Sequence, residues 1–316
     1  MSTGLVGSAP LAVVLFVGIA LIVWSYQSIV VNGLGFFTTT LWDPKLSNPV
    51  VYVNGFPTLA GSSYGVLVFV TGTLLTSGMA LLFAVPAGLG IAIFLTQLAP
   101  RRIAASVTFL IQLLAGIPSV LYGFWGFIAL RPFLITTVEP FLSDRLSFIP
   151  IFAGEPRSAG LLSSALILGL MAVPIIASIS SDVMYQTPLH LKEGARALGL
   201  TNWEVTRKIV IPSAKAGIVG SAVLGLGRVL GESMAVAMVS GTSDTFPTNL
   251  YSSVNTIAAK LVLSLNIASS DPSGMNISAL MELASVLLAI TVVVNIVARL
   301  IVRQGFATSA DSVVRL

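Results

Sequence analysis

The sequence predicts an all-α fold, a polytopic transmembrane bundle of about six helices, on three observations. First, 55% of the 316 residues are hydrophobic and 9% are charged, with a mean hydropathy of +0.97, far from the balance of a water-soluble domain. Second, the apolar residues gather into runs of about 20 or more, the length a helix needs to cross about 30 Å of hydrocarbon. Third, the basic residues behind the net charge of +4 sit mainly between those runs. Such placement sets membrane topology and argues against a nucleic-acid surface.

Six runs stand out, at roughly 10–31, 65–98, 103–130, 159–184, 215–240 and 281–302. The first lacks a basic leader and exceeds the 7–15 apolar residues of a signal sequence, so Leu11 to Val31 is expected to be a retained helix. The second is too long for one upright span and is expected to tilt or protrude, with a kink at Pro86. No soluble domain fits between the runs, so residues 1–316 read as a single membrane domain.

With both termini cytoplasmic, the inner segments hold ten basic residues: Arg101, Arg102, Lys192, Arg196, Arg207, Lys208, Lys215, Arg299, Arg303 and Arg315. The outer segments hold five, Lys45, Arg131, Arg145, Arg157 and Lys260. This bias predicts an inner N terminus. The outer loops are rich in Pro, Gly, Ser and Asn and suit docking. Residues Ala307 to Leu316 read as a short polar end. The absence of cysteine excludes disulfides, thiolate metal sites and a lipid-modified cysteine, and one histidine excludes a His-rich metal site.

The longest charged stretch, 185–214, lies between the fourth and fifth runs. Pro188 suits a helix start and Leu189 to Leu198 are good helix formers; Gly199 can end that helix, and Thr201 or Asn202 can cap a second running to Ile211. A helix–turn–helix on the inner membrane face is expected. His190 reads as a solvated loop residue. Within this loop Glu193, Gly194 and Ala195 are followed after three residues by Gly199, and after nine more by Ile209, Ile211 and Pro212. This spacing resembles the cytoplasmic signature of ABC-importer permeases, with Gly194 for alanine and Ile211 for leucine as departures. The resemblance implies that Glu193, Ala195, Arg196, Gly199 and Pro212 couple the chain to an ATPase: a short amphipathic helix in an ATPase groove can pass on its closure, Ala195 and Gly199 allowing close approach.

In the third run, Ala115-Gly-Ile-Pro-Ser-Val-Leu-Tyr-Gly-Phe-Trp-Gly126 is a Gly/Pro-broken helix. A break at Gly116, Pro118 and Ser119 fits either the lining of a translocation path or a kinked packing helix. In the fifth run, Gly225-Leu-Gly-Arg-Val-Leu-Gly-Glu-Ser-Met-Ala-Val places Arg228 and Glu232 one turn apart. An ionisable residue at mid-span costs about 2.5–3.5 kcal/mol on insertion scales, so the two read as a substrate pathway or as a self-satisfied salt bridge. Gly227 and Gly231 have the spacing of tight helix packing.

Both segments resemble the phosphate-specific transport permeases, the C subunit more than its A partner, over about residues 30–303. The resemblance implies a type I ABC-importer permease fold, with a core at about 65–303, in the cell membrane, importing inorganic phosphate by alternating access. It implies a second, A-type permease subunit, a cytoplasmic ATPase dimer, an extracytoplasmic phosphate-binding protein and no nucleic acid. No Gly-x4-Gly-Lys-Ser/Thr occurs, so ATP and magnesium are expected on the ATPase and no cofactor in this chain. On this reading the Arg228 guanidinium meets two phosphate oxygens and Glu232 holds it in place. Alternatives are another oxyanion such as molybdate or sulfate, the A-type subunit, an ion-driven secondary transporter and a phosphate-sensing scaffold.

Overall fold

A computed structural model describes residues 2–156 and 159–313, with side chains described for 12–156 and 159–300. Arg157, Arg315 and the side chains of Arg303 and of the polar end 307–316 lie outside the described residues. The chain begins with α1 (Ser2–Asn32) and the short α2 (Gly35–Thr38), followed by a hairpin of β1 (Val50–Val53) and β2 (Phe56–Leu59). Then come α3 (Leu67–Ile93), α4 (Arg101–Ala115), α5 (Ser119–Trp125), α6 (Arg131–Phe133) and α7 (Glu139–Leu146). The remainder is α8 (Leu161–Tyr185), α9 (Leu189–Ala197), α10 (Asn202–Val205), α11 (Ile211–Leu230), α12 (Met234–Val239), α13 (Ile257–Ala268) and α14 (Met275–Val313).

Six helical stretches of the described residues are long and apolar enough to span a membrane: Ala12–Asn32, Leu67–Leu98, Ser119–Leu146, Leu161–Tyr185, Asn202–Leu230 and Met275–Leu300. The chain is a multi-pass membrane protein. Its axis is α8, 67% buried over its span where no other span exceeds 28%. Small side chains let α3 approach it closely: Ala80 and Ala84 meet Leu168, Ala172 and Ile176. In a bilayer, where lipid is as apolar as leucine, such contacts and buried hydrogen bonds hold helices together. Ser180 and Ser221 share one between α8 and α11 (2.9 Å), and the Ser163 hydroxyl donates to the Val239 carbonyl (3.0 Å). Each contributes on average about 0.6 kcal/mol. The first span is tied to the last in the same way, with the Ser28 hydroxyl donating to Glu282 (2.5 Å) and the Ser28 amide to the Ser278 hydroxyl (3.0 Å).

The third span differs from the expected 103–130 if apolar length alone is followed, because the helix breaks after Ala115 and resumes at Ser119. The apolar span is Ser119–Leu146, and α4 packs along the same neighbouring helix ahead of it. Ala104 and Ile111 lie beside Ala177 of α8, Tyr122 beside Met171 and Ile167, and Leu134 beside Leu161 and Leu162. The segment from α4 through α6 therefore runs antiparallel to α8, with its break opposite the middle of that helix, and α7 extends beyond it.

Four π-helical turns, Phe94–Leu98, Gly126–Leu130, Leu134–Val138 and Thr206–Val210, each end two residues before a proline. The amide preceding the proline bonds five residues back in every case, as Ile211 does to Thr206. Proline lacks an N–H and its ring collides with the carbonyl four residues earlier; widening the helix by one residue removes the collision. As a result α10, the turn before Pro212 and α11 form one uninterrupted helix, where the sequence suggested a second loop helix ending near Ile211.

The hairpin was not expected in an all-α chain. Its turn is Asn54-Gly55, both with positive φ (52° and 85°), the two-residue type that matches strand twist.

Candidate functional site

The fifth span ends at Leu230, and Gly231, Glu232 and Ser233 separate it from α12. Val229 and Val236, on either side of this break, pack with Leu168, Ala172 and Ile176 in the middle of α8. The break therefore lies at membrane depth, as does the one at Gly116–Pro118. Sequence reasoning placed Arg228 and Glu232 on one helical face as neighbours; that expectation fails because the helix stops between them. No ion pair joins them among the described residues. Instead each charge serves the helix end of opposite sign. Arg228 sits in the last turn of α11, where carbonyls carry partial negative charge. Glu232, 8% exposed, accepts from the Ala235 amide (3.2 Å) at the start of α12.

The two breaks adjoin. A Cβ on Gly123 would lie 2.8 Å from the Ala235 Cα, so only glycine lets α5 rest on α12 this closely. Tyr122 is buried beside Ala235, and its hydroxyl donates to the Leu114 carbonyl (2.8 Å), reaching back across the Gly116–Pro118 gap. Gly116, Pro118 and Arg228 are exposed and Ser119 half-buried. A Cβ on Gly227 would meet nothing within 4 Å, and one on Gly231 only the Gly227 carbonyl, at 3.8 Å, so their spacing packs nothing within this chain. A fixed cation thus points away from the chain's own core at a depth where lipid is a prohibitive neighbour.

The loop forms the expected helix–turn–helix. Gly199, at φ +86°, ends α9, a conformation that penalises any Cβ. Thr201 and Glu204 make a reciprocal cap on α10: the Glu204 amide donates to the Thr201 hydroxyl (3.3 Å) and the Thr201 amide to the Glu204 carboxylate (3.0 Å). Lys208 pairs with Glu204 (3.1 Å), and the Arg196 Nε donates to Asn202 (3.2 Å) across the turn. Glu193, Arg196, Pro212 and His190 are exposed, and the spaces beside Gly194 and Gly199 are open. Ala195 is different: it is buried, so it fixes α9 to its own chain and offers no outer contact. Burial, then the nearby Arg196 charge, holds the Lys192 ammonium below the usual lysine range. Leu198 and Trp203, exposed at 83% and 57%, were not singled out from sequence. Two large apolar residues in a charged loop were the available signal.

This arrangement is that of a polytopic membrane protein, and the proteins it resembles are transport permeases, not enzymes. Solved structures with the same fold include the inward-facing MetNI methionine ABC transporter (TM-score 0.52, 19% identity, covering 75% of this chain and 96% of that one). Another is a bacterial alginate ABC transporter (TM-score 0.51, 17% identity, 75% and 79%). The type I ABC-importer permease fold is therefore present. The chain belongs to the family of binding-protein-dependent transport system inner membrane components, whose model matches residues 84–304. It is 41% identical over 284 residues to the phosphate transport system permease protein PstC 1 of Mycobacterium tuberculosis, covering 88% of this chain and 84% of the relative. It is 40% identical over 290 residues to PstC of Haemophilus influenzae, covering 90% and 86%.

Proposed function

We propose that this chain is the C-type permease half of an ATP-driven importer of inorganic phosphate. It pairs with an A-type permease, a dimer of cytoplasmic ATPase subunits that bind ATP and magnesium, and an extracytoplasmic phosphate-binding protein. The observation that carries the reading is Arg228: a guanidinium on the outward side of a broken span, which a second permease must cover and an oxyanion can neutralise. The names of the relatives at about 40% identity supply the cargo. ATPase closure moves the α9–α10 loop through its Leu198 and Trp203 face, the spans reorient, and phosphate passes along the Arg228 region. Both termini are cytoplasmic on the charge bias.

The test is reconstitution with these partners in proteoliposomes and measurement of radiolabelled phosphate uptake. Uptake should require ATP and a binding protein, and excess sulfate or molybdate should not suppress it. Uptake that persists without ATP under an ion gradient would favour a secondary transporter instead. Suppression by molybdate at concentrations that match phosphate would reassign the cargo while keeping the fold.

A further inference from the structure

The β1–β2 hairpin is fastened to the last turns of α1. The Asn54 side-chain amide donates to the Val30 carbonyl (3.0 Å), and the Gln27 amide donates to the Pro57 carbonyl (2.6 Å). The Phe56 ring meets Tyr26 edge-on, with centroids 5.8 Å apart. Tyr26, Gln27 and Val30 all belong to the apolar span Ala12–Asn32, within about 9 Å of its Asn32 end at 1.5 Å per residue. The hairpin tip therefore lies alongside the span and does not stand clear of it.

All four residues of β1 are exposed, Tyr52 at 77%. Val50, Val51, Tyr52 and Val53 carry no charge, and no charged residue occurs from Leu46 to Gly65. Among the described residues β1 pairs with β2 alone, which leaves a strand edge open. In water, an apolar ribbon with a free edge is an aggregation hazard. Hydrocarbon excludes it equally, because the edge amides and carbonyls find no partners there. The headgroup boundary satisfies both constraints: water and headgroups bond the edge while the Tyr52 ring reaches the acyl region. The Phe56–Tyr26 contact joins the hairpin to the flank of α1 that carries Tyr26, exposed at 58%, on a span only 11% buried by the chain itself.

We propose that this hairpin is a membrane-interface anchor, lying in the lipid headgroup layer at the Asn32 end of the first span with Tyr52, on the strand face opposite Val51 and Val53, toward the acyl boundary. The inference needs only that α1 crosses a bilayer, and it stands or falls independently of the cargo and of the orientation of the termini.

Because the chain has no cysteine, Tyr52→Cys provides a unique spin-label site, and Lys45→Cys provides an aqueous reference on the same loop. Both variants are placed in the full assembly, in vesicles of phosphatidylethanolamine and phosphatidylglycerol, and collisions with oxygen and with a water-soluble nickel chelate are compared. An interfacial anchor gives a nickel collision rate at position 52 lower than at position 45 by roughly threefold or more, with oxygen favoured at 52. Equal nickel access at the two positions overturns the proposal. Protection at 52 that arises only when the binding protein is added also overturns it, by giving the face to that protein.

Discussion

Arg228 and Glu232 act on different helix ends, and this changes what substitution should do. Arg228→Gln keeps the side-chain length and hydrogen bonding but removes the fixed charge; phosphate uptake should fall at least about tenfold, equivalent to about 1.4 kcal/mol of lost interaction, while assembly survives. Glu232→Gln retains an acceptor for the Ala235 amide and should keep most uptake, whereas Glu232→Ala loses the cap and about 1 kcal/mol of stability. The double variant Arg228→Gln with Glu232→Gln is the sharper measurement. Separate roles predict that it transports no better than Arg228→Gln alone, with stability changes adding to within about 0.5 kcal/mol. Recovered uptake in the double variant would restore a structural ion pair and remove Arg228 from the substrate path.

At the scale of elements, the α9–α10 loop is both rigid and unpartnered. Its rigidity resides in Gly199 and the Thr201–Glu204 cap, its unpartnered surface in Leu198 and Trp203. Thr201→Ala should cost about 1 kcal/mol by removing the cap and weaken ATPase stimulation without changing membrane insertion. Gly199→Trp combines a strained positive φ with bulk in an open notch, and Glu193→Lys reverses an exposed charge. Either should abolish co-purification of the ATPase, measured by pull-down from detergent; retention of both binding and stimulated hydrolysis would remove the coupling role from this loop. The loop was readable beforehand because its residues encode local geometry: a positive-φ glycine and a reciprocal cap are signals within four residues. The fate of Ala195 was not, since which face of α9 turns inward is decided by packing against the following turn. The hairpin was readable from Asn54-Gly55 between apolar runs, and the expectation of an all-helical chain obscured it.

For the whole molecule, the spans were legible because bilayer thickness imposes a length on them, and their breaks because glycine and proline interrupt a backbone ladder at known offsets. The missing helical link between Arg228 and Glu232 was not legible: Gly231 is compatible with a continued helix, and the close seat of α12 on α5 at Gly123 is a tertiary contact that no local pattern encodes. Orientation follows from charge bias and has a direct check. In intact cells an impermeant thiol reagent should label Lys45→Cys and leave Asn202→Cys unmodified until the membrane is permeabilised; labelling of position 202 at the outset would invert the topology.

One uninterrupted helix joins the loop turn at Thr201 to the break at Gly231. Its 29 residues from Asn202 to Leu230 make a rod of about 43 Å at 1.5 Å per residue. Swung about its inner end by about 5°, such a rod carries its far end sideways by about 4 Å, on the scale of the small rigid-body shifts that switch helical interfaces. Arg228 rides on the last turn of that arm. Angular gain, and not a relay of altered contacts, then suffices to move a single charge from one neighbour to another, and the three-residue gap after Leu230 leaves α12 free to stay behind.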